Sequence, residues 1–404
     1  IKILFMNKIL RLVVIVLSVA VLHSSCSKEQ AQTSVVSTQS SESAAANSLT
    51  ITITQTPTYY TPLLDTIFIA GTFNNWNAGD KNYMLTKKAN NTWQITLTQP
   101  AGTAIEYKFT RGTWASGETK ADGSFQPNRK YTFTNTSASR NITIGNWQDM
   151  AGKHTAVGNT KIIDLDFYMP QLNRWRRVWV YLPQDYYTSN NTYQTLYMQD
   201  GQNLFDLATS FAAEWKCDET MEDLQNKDST NGIIIIGVDN GGLTRIDEYS
   251  PWVNPQYGGG EGDEYIDFII STLKPFIDAN FRTLPSRENT GIMGSSMGGL
   301  ISWYGGLAHQ DVFSKVGVFS PSFWFSPEVM TFAASTSKQY PTSFYFLAGS
   351  LEGSDTDANI KKVMRRMSAN GFTQSEMKYQ YVQGGTHSET FWSQWFDNAV
   401  LWLY

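Results

Sequence analysis

TGIMGSSMGGL occupies Thr290–Leu300 and contains a G-x-S-x-G pattern centred on Ser296. The pattern is typical of a sharp turn from a strand into a helix, with the serine hydroxyl exposed at the tip. Gly294 and Gly298 suit so tight a turn, because larger side chains would clash with the neighbouring strand and helix. The N–H of Met297 would lie at a helix N-terminus, where it can donate to an oxyanion. We therefore predict that Ser296 is a nucleophile, provided that the chain supplies a base and an acid.

A serine nucleophile needs a base, usually histidine, and the chain has four histidines. His23 lies in an N-terminal export segment, and His154 precedes the domain of Ser296. His309 should lie about 20 Å from Ser296, three to four helical turns further along. His387 remains, in a glycine-containing loop between an expected strand and the last expected helix. We predict His387 as the base.

The acid is expected between Ser296 and His387, because nucleophile, acid and histidine follow in this order in α/β-hydrolases. The segment GSLEGSD follows an expected strand at Phe344–Ala348 and offers Glu352 and Asp355. The acid would orient His387 and stabilise the imidazolium that forms during proton transfer. The residues alone leave both carboxylates open.

The composition limits the class of protein. A chain of 404 residues predicts more than one domain. The net charge of −5 gives no reason to expect a nucleic-acid partner. Aromatic residues make up 14% of the chain, which is common in sugar-binding proteins and equally in large, well-filled cores.

Residues 1–26 are predicted to be a lipoprotein signal peptide, and residues 27–48 a flexible linker. A basic region precedes the apolar stretch Leu12–Leu22, which is too short to span a membrane comfortably. Small residues then precede Cys26, the expected lipidated residue, although His23 stands where such sites usually carry Leu. We expect an exported protein anchored through Cys26 to a bacterial membrane, periplasmic or at the cell surface, with simple secretion as the alternative. The second cysteine, Cys217, is predicted to be an inert buried thiol.

Residues 49–147 predict an antiparallel β-sandwich of about 100 residues, because short strands alternate with turns rich in Gly, Asn and Pro. A polar linker is expected over residues 148–159. Strands and helices then alternate over residues 160–404, which predicts a mostly parallel sheet with helices on both faces. The run Gly232–Val238 (GIIIIGV) is typical of a strand buried on both faces.

The segments GTFNNWN, IEYKFTRGTW and Asn128-Arg129 resemble the starch- and glycogen-binding type of immunoglobulin-like module. In such modules a turn tryptophan, a lysine of the YKF strand and a second exposed aromatic form a sugar platform. The resemblance implies these roles for Trp76 and Lys108, and for Trp114 with Phe125 as the alternative. It implies glycan binding by the sandwich; a spacer without ligand is the alternative.

The segments LYMQDGQNLFD, IIIIGVDN, GIMGSSMGGLIS, FLAGSLEGSD and QGGTHSETFW resemble, in the same order, the esterase D-like family of α/β-hydrolases. That family includes feruloyl and acetyl-xylan esterases, siderophore esterases and mycolyltransferases. The resemblance extends from about Asp164 to the C-terminus. It implies an α/β-hydrolase fold, Glu352 as the acid, and an oxyanion hole formed by the N–H groups of Gln202 and Met297.

Other polar and aromatic residues leave their roles open. No metal or other cofactor is expected, because Asp200 and Asp206 have no histidine or third carboxylate at ligand spacing. Arg245 and Glu248-Tyr249 resemble a family segment beside the active site, with a structural ion pair as the alternative. Trp324 follows a strand end, the side on which such sheets bind ligands, so we expect it in the pocket wall or in the core.

We expect a serine esterase that hydrolyses a carbohydrate-linked ester, acetyl or feruloyl. One alternative is a siderophore or peptide-ester hydrolase with a spacer sandwich. The other is a glycan-binding lipoprotein whose hydrolase domain is inert.

Overall fold

A computed structural model of the chain describes residues 47–57, 61–150 and 154–404. The predicted signal peptide, Cys26 and most of the predicted linker lie outside the described residues. The first strand begins at Asn47, so the linker prediction is wrong for its last two residues. Within the described ranges, no helix is both long enough and apolar enough to cross a membrane.

The N-terminal region is all β. Its strands are β1 (Asn47–Gln55), β2 (Phe68–Gly71), β3 (Thr86–Lys87), β4 (Trp93–Gln99), β5 (Ala104–Thr110), β6 (Glu118–Thr119), β7 (Arg129–Thr132), β8 (Ala138–Thr143) and β9 (Asn146–Trp147). One sheet has the order β3-β4-β1-β8, a second β2-β5-β7, and β6 pairs with β9. Alternation along β1 buries Leu49, Ile51 and Ile53, as a half-buried strand requires. A wholly antiparallel sandwich was the wrong expectation at one pair, because β1 and β8 run parallel.

The C-terminal region contains an eight-stranded sheet of order β10-β11-β13-β12-β14-β15-β16-β17. Its strands are β10 (Asn159–Met169), β11 (Arg174–Leu182), β12 (Gln194–Gln199), β13 (Ile233–Val238), β14 (Thr290–Ser295), β15 (Lys315–Phe319), β16 (Ser343–Gly349) and β17 (Met377–Val382). The pairs β10–β11 and β11–β13 are antiparallel, and the other neighbours are parallel. The mostly parallel sheet is confirmed.

Helices cover both faces of this sheet. They are α1 (Cys217–Asn226), α2 (Arg245–Glu248), α3 (Gly262–Asp267), α4 (Lys274–Asn280), α5 (Met297–Ala308), α6 (Glu328–Ser335), α7 (Ser354–Ala369) and α8 (Glu389–Leu403). Buried side chains of α1 and α8 pack into one core, and those of α3, α5, α6 and α7 pack into a second core. The helix expected over Glu264–Phe281 is interrupted by a π-helical turn at Phe268–Leu273.

The N-terminal region covers the edge strand β10 of the large sheet. Backbone N–H groups of Leu63 and Leu64 donate to the carbonyls of Ile162 and Ile163, each at 3.0 Å. These are main-chain bonds, so a short segment before β2 adds itself to the sheet edge. An uncovered edge of this kind would be free to pair with another chain.

A buried arginine holds the same segment to the end of the sandwich. The side chain of Arg111 is 1% exposed, and its guanidinium donates to Asp65 at 2.6 Å and also to Asp149. The guanidinium lies 5.5 Å from the ring centroid of Trp147. Burial raises the pKa of Asp65, and the adjacent Arg111 opposes that shift.

Candidate active site

Ser296 lies at the turn between β14 and α5 with φ +59° and ψ −122°. A positive φ at a non-glycine residue is strained and persists only where the surroundings enforce it. Here the N–H of Ser296 donates to Phe319 O at 2.9 Å, and the N–H of Ser322 donates to Ser296 O at 3.0 Å. The turn is therefore held by β15 and by the loop that follows it.

Close backbone approach explains the glycines around Ser296. A Cβ on Gly294 would lie 2.7 Å from Gln199 Cγ and 2.7 Å from Gly298 O. A Cβ on Gly299 would lie 2.7 Å from Phe319 O, whereas on Gly298 its nearest neighbour would be 3.0 Å away, at Gln199 Cβ. The tighter position after the serine is thus Gly299, outside the G-x-S-x-G pattern.

Glu352 lies beside His387, and its side chain is fully buried. Its Oε2 lies 3.2 Å from His387 Nδ1, while Oε1 accepts bonds from Gly349 N–H and Ser320 Oγ, each at 2.7 Å. These donors fix the carboxylate in one orientation. The other acid that the sequence left open, Asp355, is exposed in the first turn of α7. The structure thus brings Glu352, and not Asp355, to His387.

Trp392, in the first turn of α8, supports this arrangement and was missed from sequence. Its indole Nε1 donates to Ser320 Oγ at 2.8 Å, and Ser320 in turn donates to Glu352. The ring of His387 meets the Trp392 ring edge to face, with centroids 5.1 Å apart. Trp392 ends the segment QGGTHSETFW, but Ser320 lies 72 residues away and nothing in the sequence pairs the two.

Ser296 and His387 line the same cavity, of about 860 Å³. Its wall also includes Gln202, Asn240 and Arg245. In this structure Ser296 Oγ is hydrogen-bonded to Ser322 Oγ at 3.3 Å, and the described residues show no hydrogen bond from Ser296 to His387. A rotation of the serine side chain must therefore precede any proton transfer between the two.

Gln202 and Met297 stand at the same edge of the sheet. Gln202 follows β12 in the 3₁₀ turn Gly201–Asn203, and Met297 is the first residue of α5, directly after the turn that ends β14. Because β12 and β14 are parallel neighbours, their carboxyl ends meet. The first N–H groups of a helix have no acceptor within it, so both positions suit donation to a bound anion.

Asp200, the residue before this turn, has a structural role, because an ion pair and hydrogen bonds hold it in place. It is buried, and Arg245 grips its two oxygens at 2.7 and 2.8 Å. Asn240 Nδ2 donates to Asp200 Oδ1 at 2.6 Å, and the Asp200 N–H donates to the Tyr249 hydroxyl at 3.1 Å. Arg245 therefore forms a structural ion pair and also lines the cavity.

The structure also distinguishes between the alternatives for Glu248 and those for Trp324. Glu248 is buried in an ion cluster with Arg174, at 2.8 Å, and Arg176, which favours the structural role. Trp324 is 57% exposed and meets Tyr257 edge to face, so the expected core role is wrong. Trp324 is not among the described residues that line the cavity of Ser296.

On the N-terminal sandwich, the structure brings the four side chains considered for ligand binding into two pairs. Trp114 Nε1 donates to Trp76 O at 3.2 Å, and their ring centroids lie 6.1 Å apart. Lys108 Nζ lies 3.9 Å from the ring centroid of Phe125, whose side chain is 72% exposed. Burial lowers the pKa of Lys108.

The sequence model of the "Putative esterase" family matches residues 170–403. The chain belongs to this esterase family. A second model, "Starch binding domain", matches residues 48–143. The two matches establish an ester hydrolase of this family joined to a starch-binding type of module.

This esterase is similar to three proteins that differ in what they share with it. The "Uncharacterized protein YbbA" of Bacillus subtilis (strain 168) is 27% identical over 242 residues, which are 57% of this chain and 92% of that protein. An alpha-amylase of Niallia circulans is 39% identical over 89 residues, 22% of this chain and only 7% of the amylase. The enterobactin esterase of Shigella flexneri, solved in the presence of enterobactin, has the same fold, with 14% identity, a TM-score of 0.50, and coverage of 88% of this chain and 92% of that chain.

Proposed function

We propose that the protein is a serine esterase with Ser296 as nucleophile, His387 as base and Glu352 as the acid. One observation carries this proposal: the buried carboxylate of Glu352 holds Nδ1 of the histidine that shares a cavity with a strained, half-buried serine. A histidine held at Nδ1 by a carboxylate presents Nε2 as the proton acceptor. That is the tautomer a serine nucleophile requires.

The reaction follows from these positions. Ser296 turns from Ser322, gives its proton to His387 Nε2 and attacks the ester carbonyl carbon. The negative oxygen that develops accepts hydrogen bonds from the N–H groups of Gln202 and Met297. The C–O bond to the alcohol then breaks and His387 returns the proton to the leaving alcohol. Water, deprotonated by His387, releases the acyl group and restores the serine.

The proposed substrate is an acetyl or feruloyl ester on a polysaccharide or oligosaccharide. The match to a starch-binding model supports a carbohydrate at the N-terminal module. Charges in the cavity wall also favour a neutral substrate: Arg177 and Arg245 face Asp200, Asp239 and Glu389. Both arginines are already paired, with Asp239 and Asp200 respectively. An anionic siderophore would find no uncompensated positive charge on this wall.

A burst experiment tests the nucleophile. Wild type should release a stoichiometric burst of p-nitrophenol from p-nitrophenyl acetate, and Ser296→Ala should release none. Ser322→Ala serves as the matched control, since it removes the hydroxyl that contacts Ser296 and should keep the burst. Equal release by wild type and Ser296→Ala would contradict the assignment and favour an inert hydrolase domain. A panel of acetylated and feruloylated oligosaccharides beside a catecholate siderophore then identifies the substrate.

We also propose that Trp76, Lys108 and Trp114 bind glycan. Stacking of flat rings on sugar faces would carry the affinity, so Trp76→Ala should lose retardation in gels containing glycogen or xylan. Phe125→Ala is the control that separates the two aromatic alternatives. Trp76→Ala and wild type should hydrolyse p-nitrophenyl acetate equally. If Trp76→Ala migrates like wild type in every glycan, the platform is wrong.

Finally, we propose export and lipid anchoring through Cys26, on the sequence pattern alone. Cells that express the full chain should show palmitate labelling of the protein in the membrane fraction. Cys26→Ala should lose both the label and the membrane association. Unlabelled wild type in the soluble fraction would favour simple secretion.

A further inference from the structure

Three carboxylates come together away from the cavity of Ser296. Glu214 lies just before α1, and Asp218 and Glu219 lie in its first turn. One oxygen from each lies within 4.8 Å of the other two. Glu214 is 5% exposed, Asp218 is fully buried, and Glu219 is half-buried. None of them lines the cavity described above.

Each of the two most buried carboxylates is anchored by one oxygen only. Glu214 Oε2 accepts a bond from Thr155 Oγ1 at 2.9 Å. Asp218 Oδ2 accepts bonds from Val157 N–H at 2.7 Å and from Thr160 Oγ1 at 3.0 Å. These donors orient the carboxylates, as neighbours of metal ligands commonly do.

The remaining oxygens have no hydrogen-bond donor. Glu214 Oε1, Asp218 Oδ1 and Glu219 Oε2 are buried, and no described group donates to any of them. Buried carboxylate oxygens without a partner are rare, because their desolvation is not offset. Buried carboxylates this close together, each with an oxygen that no described group bonds, require a proton or a cation to offset their charge.

The charges around the three carboxylates add to the need for a proton or a cation. Burial first, and the charge of Glu219 second, raise the pKa of Glu214 to about 7. Burial and the adjacent Glu219 also raise the pKa of Asp218. Lys216 is exposed and only weakly opposes the shift at Glu214. A cation among the three oxygens would remove the repulsion that these shifts express.

We propose that Glu214, Asp218 and Glu219 bind a calcium ion. The donor set is all oxygen, which suits a hard cation. Cys217 lies between the acids in sequence, but its thiol is buried with Sγ 4.0 Å from Met198 Sδ, so it does not join the set. Three protein carboxylates in one site suit Ca²⁺, because Mg²⁺ usually takes only one or two carboxylates and demands near-ideal octahedral geometry. Water would complete the coordination.

The ion would tie the segment that leads into β10 to the loop before α1. The donors to its ligands come from Thr155–Thr160, which leads into β10. Glu214 lies at the end of the loop that starts at Gln202. The next residue, Trp215, closes this loop by donating its N–H to Asn203 O at 2.8 Å. Trp215 in turn packs on Trp392, with ring centroids 5.7 Å apart. We expect calcium to stabilise the fold without entering the ester chemistry.

The test uses the full chain after treatment with EDTA. Elemental analysis should find one calcium per chain after reloading, and saturating CaCl2 should raise Tm by about 5 °C or more at 100-fold excess over Kd. Terbium offers a second readout, because Trp215 next to the site should sensitise its luminescence and calcium should displace it. No calcium bound, or no change in Tm, would overturn the proposal. If lowering the pH raises Tm and adding calcium does not, the carboxylates share a proton instead, and the proposal is overturned as well.

Substitutions test whether calcium binds at these carboxylates. Glu219→Gln should keep the fold, since Glu219 is only half-buried, and should lose the calcium-dependent rise in Tm and the terbium signal. Asp218→Asn should lose both if it folds. Asp223→Asn is the matched control on the same helix, where Asp223 is 59% exposed and pairs with Lys227. Calcium responses that are equal in Glu219→Gln and Asp223→Asn would overturn the site, and an equal response to MgCl2 would overturn the choice of calcium.

Discussion

The two oxygens of Glu352 have separate tasks. Oε1 accepts from Gly349 and Ser320 and is thereby fixed, which leaves Oε2 for Nδ1 of His387. A single oxygen offered from a buried, immobile carboxylate orients the imidazole more sharply than a solvated acid would. This explains why a glutamate three residues after a strand-end glycine suits the position.

We predict that Glu352→Gln lowers kcat on p-nitrophenyl acetate by roughly 10³- to 10⁴-fold, because the amide presents its N–H₂ or a neutral oxygen to His387. Asp355→Asn, one helical turn along and exposed, should change kcat less than about twofold. Steady-state kinetics on both variants decide the matter. Comparable losses in the two variants would show that the acid is misassigned.

The turn around Ser296 gives a second prediction. Gly294→Ala places a Cβ 2.7 Å from Gln199 Cγ and from a backbone oxygen, so it should lower the free energy of unfolding by about 2–4 kcal/mol. Gly298→Ala meets its nearest neighbour at 3.0 Å and should be less destabilised. Urea unfolding of the two variants provides the comparison. A Gly294→Ala protein as stable as wild type would mean that the turn relaxes freely.

At the scale of elements, local sequence pattern predicted much of the architecture. Strand β5 was expected at Ala104–Thr110 and lies there, because its alternating apolar residues leave no other strand register. Helices α1 and α6 were not anticipated, since each is short and has few buried positions to set a periodicity. The parallel pairing of β1 with β8 was also missed, because the residues of a strand do not determine which strand it pairs with.

The residues of the candidate site also differ in whether local sequence predicts them. A motif predicts Ser296 and the small number of histidines predicts His387, and both are local features of the sequence. The sequence does not predict the pairing of Ser320 with Trp392, because their hydrogen bond depends on where the start of α8 docks against the end of β15. The carboxylate cluster at the start of α1 is not predictable for a related reason: the turn at Lys216, which precedes the helix, brings Glu214 to Asp218 and Glu219.

The start of α8 carries a prediction of its own. Trp392→Phe keeps an aromatic ring beside His387 but removes the donor to Ser320, which should cost about 1 kcal/mol of stability. Because Ser320 also holds Glu352, kcat should fall several-fold with little change in KM. Trp395→Phe, on the same helix and half-buried, is the control. Unchanged kcat in Trp392→Phe would mean that Glu352 is fixed without this support.

At the scale of the whole molecule, the buried Arg111 ties the segment before β2 to the polar segment after β9. Arg111→Leu would leave Asp65 and Asp149 without their shared cation. Breaking a buried pair costs about 3–5 kcal/mol, and partial exposure of both aspartates reduces that here to about 2–3 kcal/mol. We expect a lower Tm by calorimetry, and partial recovery when Asp65→Asn is added. Lys130→Leu is the control, because its pair with Glu106 is exposed and should contribute little.

The segment that carries Leu63 and Leu64 has a practical meaning for anyone who recombines such proteins. It belongs by sequence to the glycan module, yet its backbone completes the catalytic half. A graft that replaces the module and discards this segment would leave two carbonyls of β10 open to a strand from a second molecule. A single cut in the polar linker that follows the sandwich therefore cannot exchange the halves cleanly, because Leu63 and Leu64 lie before β2 and leave with the module.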